Sequence, residues 1–202
     1  LIAKLNWEAG EIDSALESLD RAHQQPGFES FASESMMAVT DALRATGSSP
    51  GGAALYSSLT SEVPHLSELL SLSRNLQEYW QEAPPEETAI LREQNATLGA
   101  RLAGSAESEF IISELAGLAI QNNAYENLPQ DAPFPLDGID SQKLEQSIEQ
   151  RRTQIRELYQ ADPIEILRTS PDMIEGYAMR VHALGELEAL SWLRSHAQPP
   201  GE

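Results

Sequence analysis

The chain has 202 residues, a formal net charge of −19 and no cysteine. With 13 basic against 32 acidic side chains and no extended basic patch, the composition argues against binding to nucleic acid or to an anionic membrane surface. The missing cysteines exclude disulfides, thiolate metal sites and a cysteine nucleophile, while 41% hydrophobic residues suffice for a packed core.

The acidity is spread along the chain. Residues 1–101 carry 6 basic and 15 acidic side chains, and residues 102–202 carry 7 and 17. An evenly solvated acidic surface is the plain reading, and a basic partner is the functional one. The chain opens on Leu1, part-way into a helical pattern. The expectation is a signal peptide, membrane anchor or further domain upstream, which leans the localisation toward an extracytoplasmic domain. No apolar run in the sequence approaches the roughly 18–20 residues that span a bilayer, so direct membrane insertion is not expected.

Runs of alternating β-branched residues are missing, and Ala, Leu, Glu and Gln dominate, so the pattern predicts helices throughout. The first spans 1–9 and the second 11–25, with Gly10 between them. A third over 28–45 places Phe31, Met36, Val39 and Leu43 along one face. "TGSSPGG" (46–52) reads as a loop, followed by a short helix over 53–59. Pro64 stands near the start of a helix that carries Leu66, Leu69, Leu70, Leu76 and Trp80. "APPEE" (83–87) breaks that helix and opens the next, which runs to about residue 102. Ser105 is the expected cap of a strongly apolar helix with Phe110, Ile111, Leu115, Leu118 and Ala119 as its stripe. Gly117 inside that helix costs about 1 kcal/mol relative to Ala, a cost that fits a position where a neighbouring helix comes close.

"PQDAPFPLDG" (129–138) is the longest irregular stretch. Residues 140–160 then form an amphipathic helix with Leu144, Ile148, Ile155 and Leu158. Asp162, Pro163 and Glu165 are a helix-start signal, Ser170 and Pro171 repeat it, and the last helices cover 172–184 and 186–197. The expected fold class is all-α: antiparallel helical hairpins within one domain over 1–202. The proline-rich loop at 129–139 is a candidate joint between sub-units 1–128 and 140–202.

Two stretches share a pattern. Gly10, Ala15, Leu19, Ala22 and Pro26 are matched at the other end by Gly185, Ala189, Leu193 and Pro200. In the second set the Gly-to-Ala step is one residue shorter, and His196 stands where the second Ala should be. The first set, over residues 1–27, resembles a tetratricopeptide repeat, and the second, over 171–200, resembles it poorly. The resemblance implies helical hairpins turning on the Gly, packed through small Ala residues, and a surface that presents itself to a peptide or protein partner. Asn6 stands where an aromatic residue is usual in that family, and nothing between 28 and 170 repeats at its period.

Candidate chemistry is sparse. His65 and Glu68 share a helix face at a spacing that suits a metal, but no second pair completes four ligands. Glu175, His182 and Glu186 fall on one stripe suited to acid–base work, flanking the core stripe of Ile174, Tyr177, Ala178 and Val181. Arg151, Arg152 and Arg156 form the densest basic cluster, next to Glu145, Glu149 and Glu157, which offer ordinary helical ion pairs. "NAT" (95–97) is a formal glycosylation triplet in mid-helix. The leading expectation is a non-enzymatic protein-interaction or scaffold module without metal or cofactor. Trp7, Arg151, Arg152 and Arg156 are its candidate partner-binding residues. A membrane-anchored envelope protein's soluble domain and an enzyme with a dispersed site are the alternatives.

Overall fold

The computed structural model describes residues 1–25, 32–60, 65–104, 110–128, 141–160 and 162–197. Among them are eleven helices and no strand. They are α1 (Ile2–Glu8), α2 (Ile12–His23), α3 (Ala32–Ala45), α4 (Pro50–Thr60), α5 (Leu66–Trp80), α6 (Pro85–Gly104), α7 (Ile111–Tyr125), α8 (Ser141–Tyr159), α9 (Pro163–Thr169), α10 (Met173–Leu184) and α11 (Glu186–His196). The fold is all-α, as the composition predicts.

Local chemistry accounts for several boundaries. Asp162 caps α9, its carboxylate accepting from the N–H groups of Ile164 (3.1 Å) and Glu165 (3.3 Å), with Pro163 in the first turn. The loop expected at 46–52 is shorter than the sequence indicates, because Pro50, Gly51 and Gly52 already belong to α4. Ser49 makes this start work by accepting from the Gly52 N–H at 3.1 Å, and Pro50 has no N–H to leave unpaired. The two glycines had pointed to a flexible loop, yet only Gly47 takes a positive φ (+94°). In the last third, α10 starts beyond the Ser170–Pro171 signal, with Asp172 at its cap. The Ser105 cap, Pro64 and the proline-rich stretch 129–138 lie outside the described residues.

The chain forms two compact units. The first comprises Leu1–Phe28, His65–Ser105 and Ile112–Arg152; the second comprises Glu29–Pro64, Ala106–Ile111 and Thr153–Glu202. Each therefore draws on three stretches of sequence, and a single cut at 129–139 does not separate them. The physical reason is that helices distant in sequence complete each core.

In the first unit, α1 packs on α2 and α5, while α2 and α5 pack on α6. Ala3, Leu19, Leu72, Leu76, Trp80 and Leu91 form one buried cluster, and Leu69, Leu102, Ala116 and Ile120 form another. Helices α6 and α7 cross backbone against backbone. A Cβ on Gly99 would sit 2.6 Å from the Gly117 carbonyl oxygen, and one on Gly117 would sit 2.5 Å from the Ala103 nitrogen. Only hydrogen fits at both positions, which bears out the close approach expected at Gly117.

Helix α6 also supplies the polar fixings of this unit. Arg101 donates to the carbonyls of Ala22 (3.0 Å) and His23 (2.8 Å), closing the C-terminus of α2. Arg92 does the same for α7, donating to Ala124 (2.7 Å) and Glu126 (2.9 Å). Each guanidinium meets the negative end of a helix dipole and donates to carbonyls at or just beyond the last turn. Between them Asn95, 0% exposed, donates to Ser73 Oγ (3.1 Å) and to the Ile120 carbonyl (3.3 Å).

In the second unit, α4 packs against α3 and α10, α10 against α11, and α11 against α9. Met36, Ala53, Ala54, Ala178, Val181 and Leu193 are among its buried side chains. Gly51 lets α10 approach, since a Cβ there would lie 2.7 Å from Glu175 Cα. Thr40 and Ser57 join α3 to α4 through a 2.6 Å hydroxyl contact.

Candidate interaction surface

The two glycine-centred stretches fold alike. Gly10 (φ +78°) lies in the turn between α1 and α2, and Gly185 (φ +87°, ψ +165°) is the single residue between α10 and α11. The second conformation is open almost only to glycine. In each case the helices on either side pack together, and the Ala and Leu that follow (Ala15 and Leu19; Ala189 and Leu193) are buried. Asn6, at the position where an aromatic was absent, faces Ser18 on α2, with Nδ2 3.5 Å from its hydroxyl.

The α1–α2 hairpin, together with α5 and α6, leaves an apolar groove of about 480 Å3 in the first unit. Leu1 and Ile2 form one wall, Leu19 and Ala22 another, and Leu69 and Leu98 complete the floor. Leu1 is 53% exposed and Ile2 67%, with Leu5 (56%) close by in sequence on the same helix. The polar residues of its lining are the buried Ser18 and the exposed Arg21 and Gln25. The outer face of α2 is acidic, with Asp13, Glu17 and Asp20 all exposed. Lys4 lays its stem against the core and pairs with Glu8 at 2.9 Å.

The residues singled out from the sequence are dispersed. Trp7 is half-buried and packs edge-on against Tyr79, ring centres 5.6 Å apart, on the cluster around Leu76 and Trp80. Its place is in the wall of the core. Arg151 pairs with the buried carboxylate of Glu114, while Arg152 is half-buried and Arg156 exposed. His65 is exposed at the start of α5 with a left-handed backbone (φ +67°), and Glu68 is engaged by the Ser67 hydroxyl at 2.8 Å. That hydrogen bond holds the Glu68 carboxyl below the usual carboxylate range. Among the described residues no group of three His, Asp or Glu could hold a metal ion. No helix among them is long and apolar enough to cross a membrane.

The acid–base stripe is divided by its surroundings. Glu186 accepts from the Ile111 N–H at 3.0 Å, and Glu175 lies where α10 meets Gly51; the His182 side chain lies outside the described residues. Asn95 of the glycosylation triplet is enclosed and cannot accept a glycan in the folded chain.

Protein-family models, curated proteins and solved structures yield no match to this chain.

The groove rather than any titratable cluster is thus the feature that concentrates exposed apolar surface. Its walls come from α1, α2, α5 and α6, so no local motif marks it; the sequence signal that could have found it is Leu1, Ile2 and Leu5 on a short helix otherwise packed by Ala3 and Trp7. Burial has pushed the titration of Tyr125 and Tyr177 upward, in the second case with help from the Glu186 carboxylate. Desolvation lowers Arg92, opposed by the Glu126 carboxylate.

Proposed function

We propose that the chain is a protein-interaction module that holds an amphipathic helix from a partner in the groove of its first unit, and that it acts without catalysis or cofactor. The observation that carries this reading is the apolar groove flanked by the exposed Leu1 and Ile2. A helix laid between helices presents apolar side chains at i, i+3, i+4 and i+7, which suits a trough of this lining. The net charge of −19 and the acidic outer face of α2 favour basic residues on the flanks of that helix. The tetratricopeptide-like reading of the two ends belongs to the same proposal; its support is the shared Gly turn and the buried Ala and Leu after it. Trp7 would then act from behind the groove, as packing, and Arg151 through Glu114.

The test is selection of random helical peptides displayed on phage against the intact chain. The expected winners carry an apolar stripe with basic flanks and lose roughly ten-fold or more in affinity, about 1.4 kcal/mol, when Ala22→Trp fills the groove. They keep their affinity for Ile164→Glu, a change at an exposed position on α9. Winners indifferent to Ala22→Trp, or no winners at all, would overturn the proposal.

A further inference from the structure

The walls of the groove differ in kind. Along α2, Ser18, Arg21, Ala22 and Gln25 fall at i, i+3, i+4 and i+7, so one face of that helix supplies a largely polar wall. Helices α1, α5 and α6 supply Ile2, Leu69, Leu72 and Leu98. Arg21 is the one charged side chain among the described lining residues, in a chain whose net charge is −19. Its ordinary partner stands one turn earlier: Glu17, exposed on the same helix, has the spacing and the order that favour a helical ion pair. That pair is not made. None of the ion pairs among the described residues involves Arg21, and its Nη2 lies instead 3.4 Å from the Oγ of Ser18, a buried residue of the groove lining. At that length the hydroxyl holds the guanidinium loosely and leaves most of its N–H donors to a ligand.

We infer that Arg21 reads a carboxylate on the partner, an Asp or Glu on the side of the bound helix that meets α2. The inference rests on the groove reading above and adds the feature by which the groove would choose among apolar helices. Charge complementarity carries it. Guanidinium and carboxylate match as planar forks that can form paired N–H···O bonds, and the apolar walls beside Arg21 exclude part of the water that would otherwise screen them. Elsewhere along α2 the field has the opposite sign, since Asp13, Glu17 and Asp20 are exposed on the outer face. An acid on the partner is therefore attracted at Arg21 and repelled beyond it. A Lys or Arg is repelled at Arg21 and attracted over the outer face. The two preferences together set how the partner helix is turned about its own axis. Its apolar stripe meets α1, α5 and α6, its acid meets the groove side of α2, and its basic flank lies over the outer face.

The test takes helical peptides selected on phage against the intact chain, synthesised free, with affinities measured by fluorescence polarisation. The expected winners carry an Asp or Glu beside the apolar stripe. Arg21→Met should weaken them about five-fold, as should replacing that acid by its amide, and the two changes together should lose no more than either alone. Additive losses would place the acid elsewhere and overturn the inference. Arg74→Met removes the same charge at an exposed position of α5 outside the groove lining and should leave affinity unchanged. An equal loss there would reduce the effect to net charge and overturn the inference as well. Peptides that lose affinity with Ala22→Trp but carry no acid, or are indifferent to Arg21→Met, would overturn it while leaving the groove reading in place. Peptides indifferent to Ala22→Trp would remove both. So would the absence of any binding peptide, or binding of decanoate in its place, which would assign the groove to an acyl chain.

Discussion

The two units solve one problem, bringing helices close, by different means. The first relies on directional polar contacts radiating from α6: Arg92 and Arg101 close the ends of two neighbours, and Asn95 bonds to Ser73 and the Ile120 carbonyl. The second uses smaller fixings. Thr40 meets Ser57, Arg194 reaches a single carbonyl at Glu157 (3.2 Å), and the Arg180 guanidinium lies 4.0 Å from the Trp192 ring centre. Directional contacts specify register, since a shifted helix strands them; in the first unit they act beside the Gly99–Gly117 crossing. The groove belongs to the first unit, where α6 holds its neighbours through these contacts. A binding surface assembled from four helices needs that register.

The glycine crossings give the largest expected effect. In the first unit the two nearest obstacles to a Cβ at Gly117 are backbone atoms, at 2.5 and 2.6 Å, with Ala103 Cβ at 2.8 Å behind them, so Gly117→Ala must push α6 and α7 apart. Overpacking of this kind costs about 3 kcal/mol, offset by about 1 kcal/mol of helix propensity, for a net loss of about 2 kcal/mol. Gly51→Ala in the second unit should lose about as much, about 2 kcal/mol, because the nearest obstacle, Glu175 Cα at 2.7 Å, is also backbone. Gly176→Ala, which meets only the rim of the Trp192 ring, should be nearly neutral. Denaturant midpoints rank the three; equal losses at Gly117 and Gly176 would refute the distinction between backbone and side-chain obstacles.

The clamps come next. Arg101→Met removes two bonds from a charged donor to the end of α2 and should cost about 1.5 kcal/mol. Arg194→Met, with one exposed bond, should cost about 0.5 kcal/mol. Hydrogen exchange at the last amides of α2 reads the difference locally: faster exchange there in Arg101→Met and unchanged exchange in Arg194→Met is the expected outcome. No change in either variant would mean that the carbonyls are served equally well by water.

What the sequence revealed, and what it withheld, follows the reach of each interaction. Asp162 with Pro163 was readable because a cap is a contact two or three residues long. Gly117 was readable as a point of close approach, but its counterpart Gly99 was not, since nothing local pairs two glycines on separate helices. "PGG" misled for a related reason: the residue types that loosen a loop also thin a helix surface, and only the presence of Glu175 opposite Gly51 decides between them. Arg92 and Arg101 look like ordinary surface charges on α6, and their targets are carbonyls, which carry no sequence signature at all. The candidate surface was the least legible feature. Trp7 was singled out as a partner-binding candidate and packs on the core cluster, whereas Ala22 was noted only as part of the repeat pattern and Ile2 not at all, and both line the groove.

The smallest effect separates the units by pH. Tyr125 belongs to the first unit and Tyr177 to the second, and burial raises the titration of both above the ordinary value of 10.0. In the unfolded chain each phenol ionises near 10, while in the folded chain each keeps its proton. The folded state therefore binds more protons in that window, and stability falls as the pH rises past 10. For one tyrosine that stays protonated when folded, the loss reaches about 0.8 kcal/mol at pH 10.5. Replacing either residue by Phe should flatten the decline by that amount, seen as a smaller drop in denaturant midpoint between pH 9 and pH 10.5. If one replacement flattens it and the other does not, the tyrosine without effect is reached by water in solution. Tyr177, nearly fully buried and beside the Glu186 carboxylate that accepts from Ile111, should then be the one that keeps the full effect.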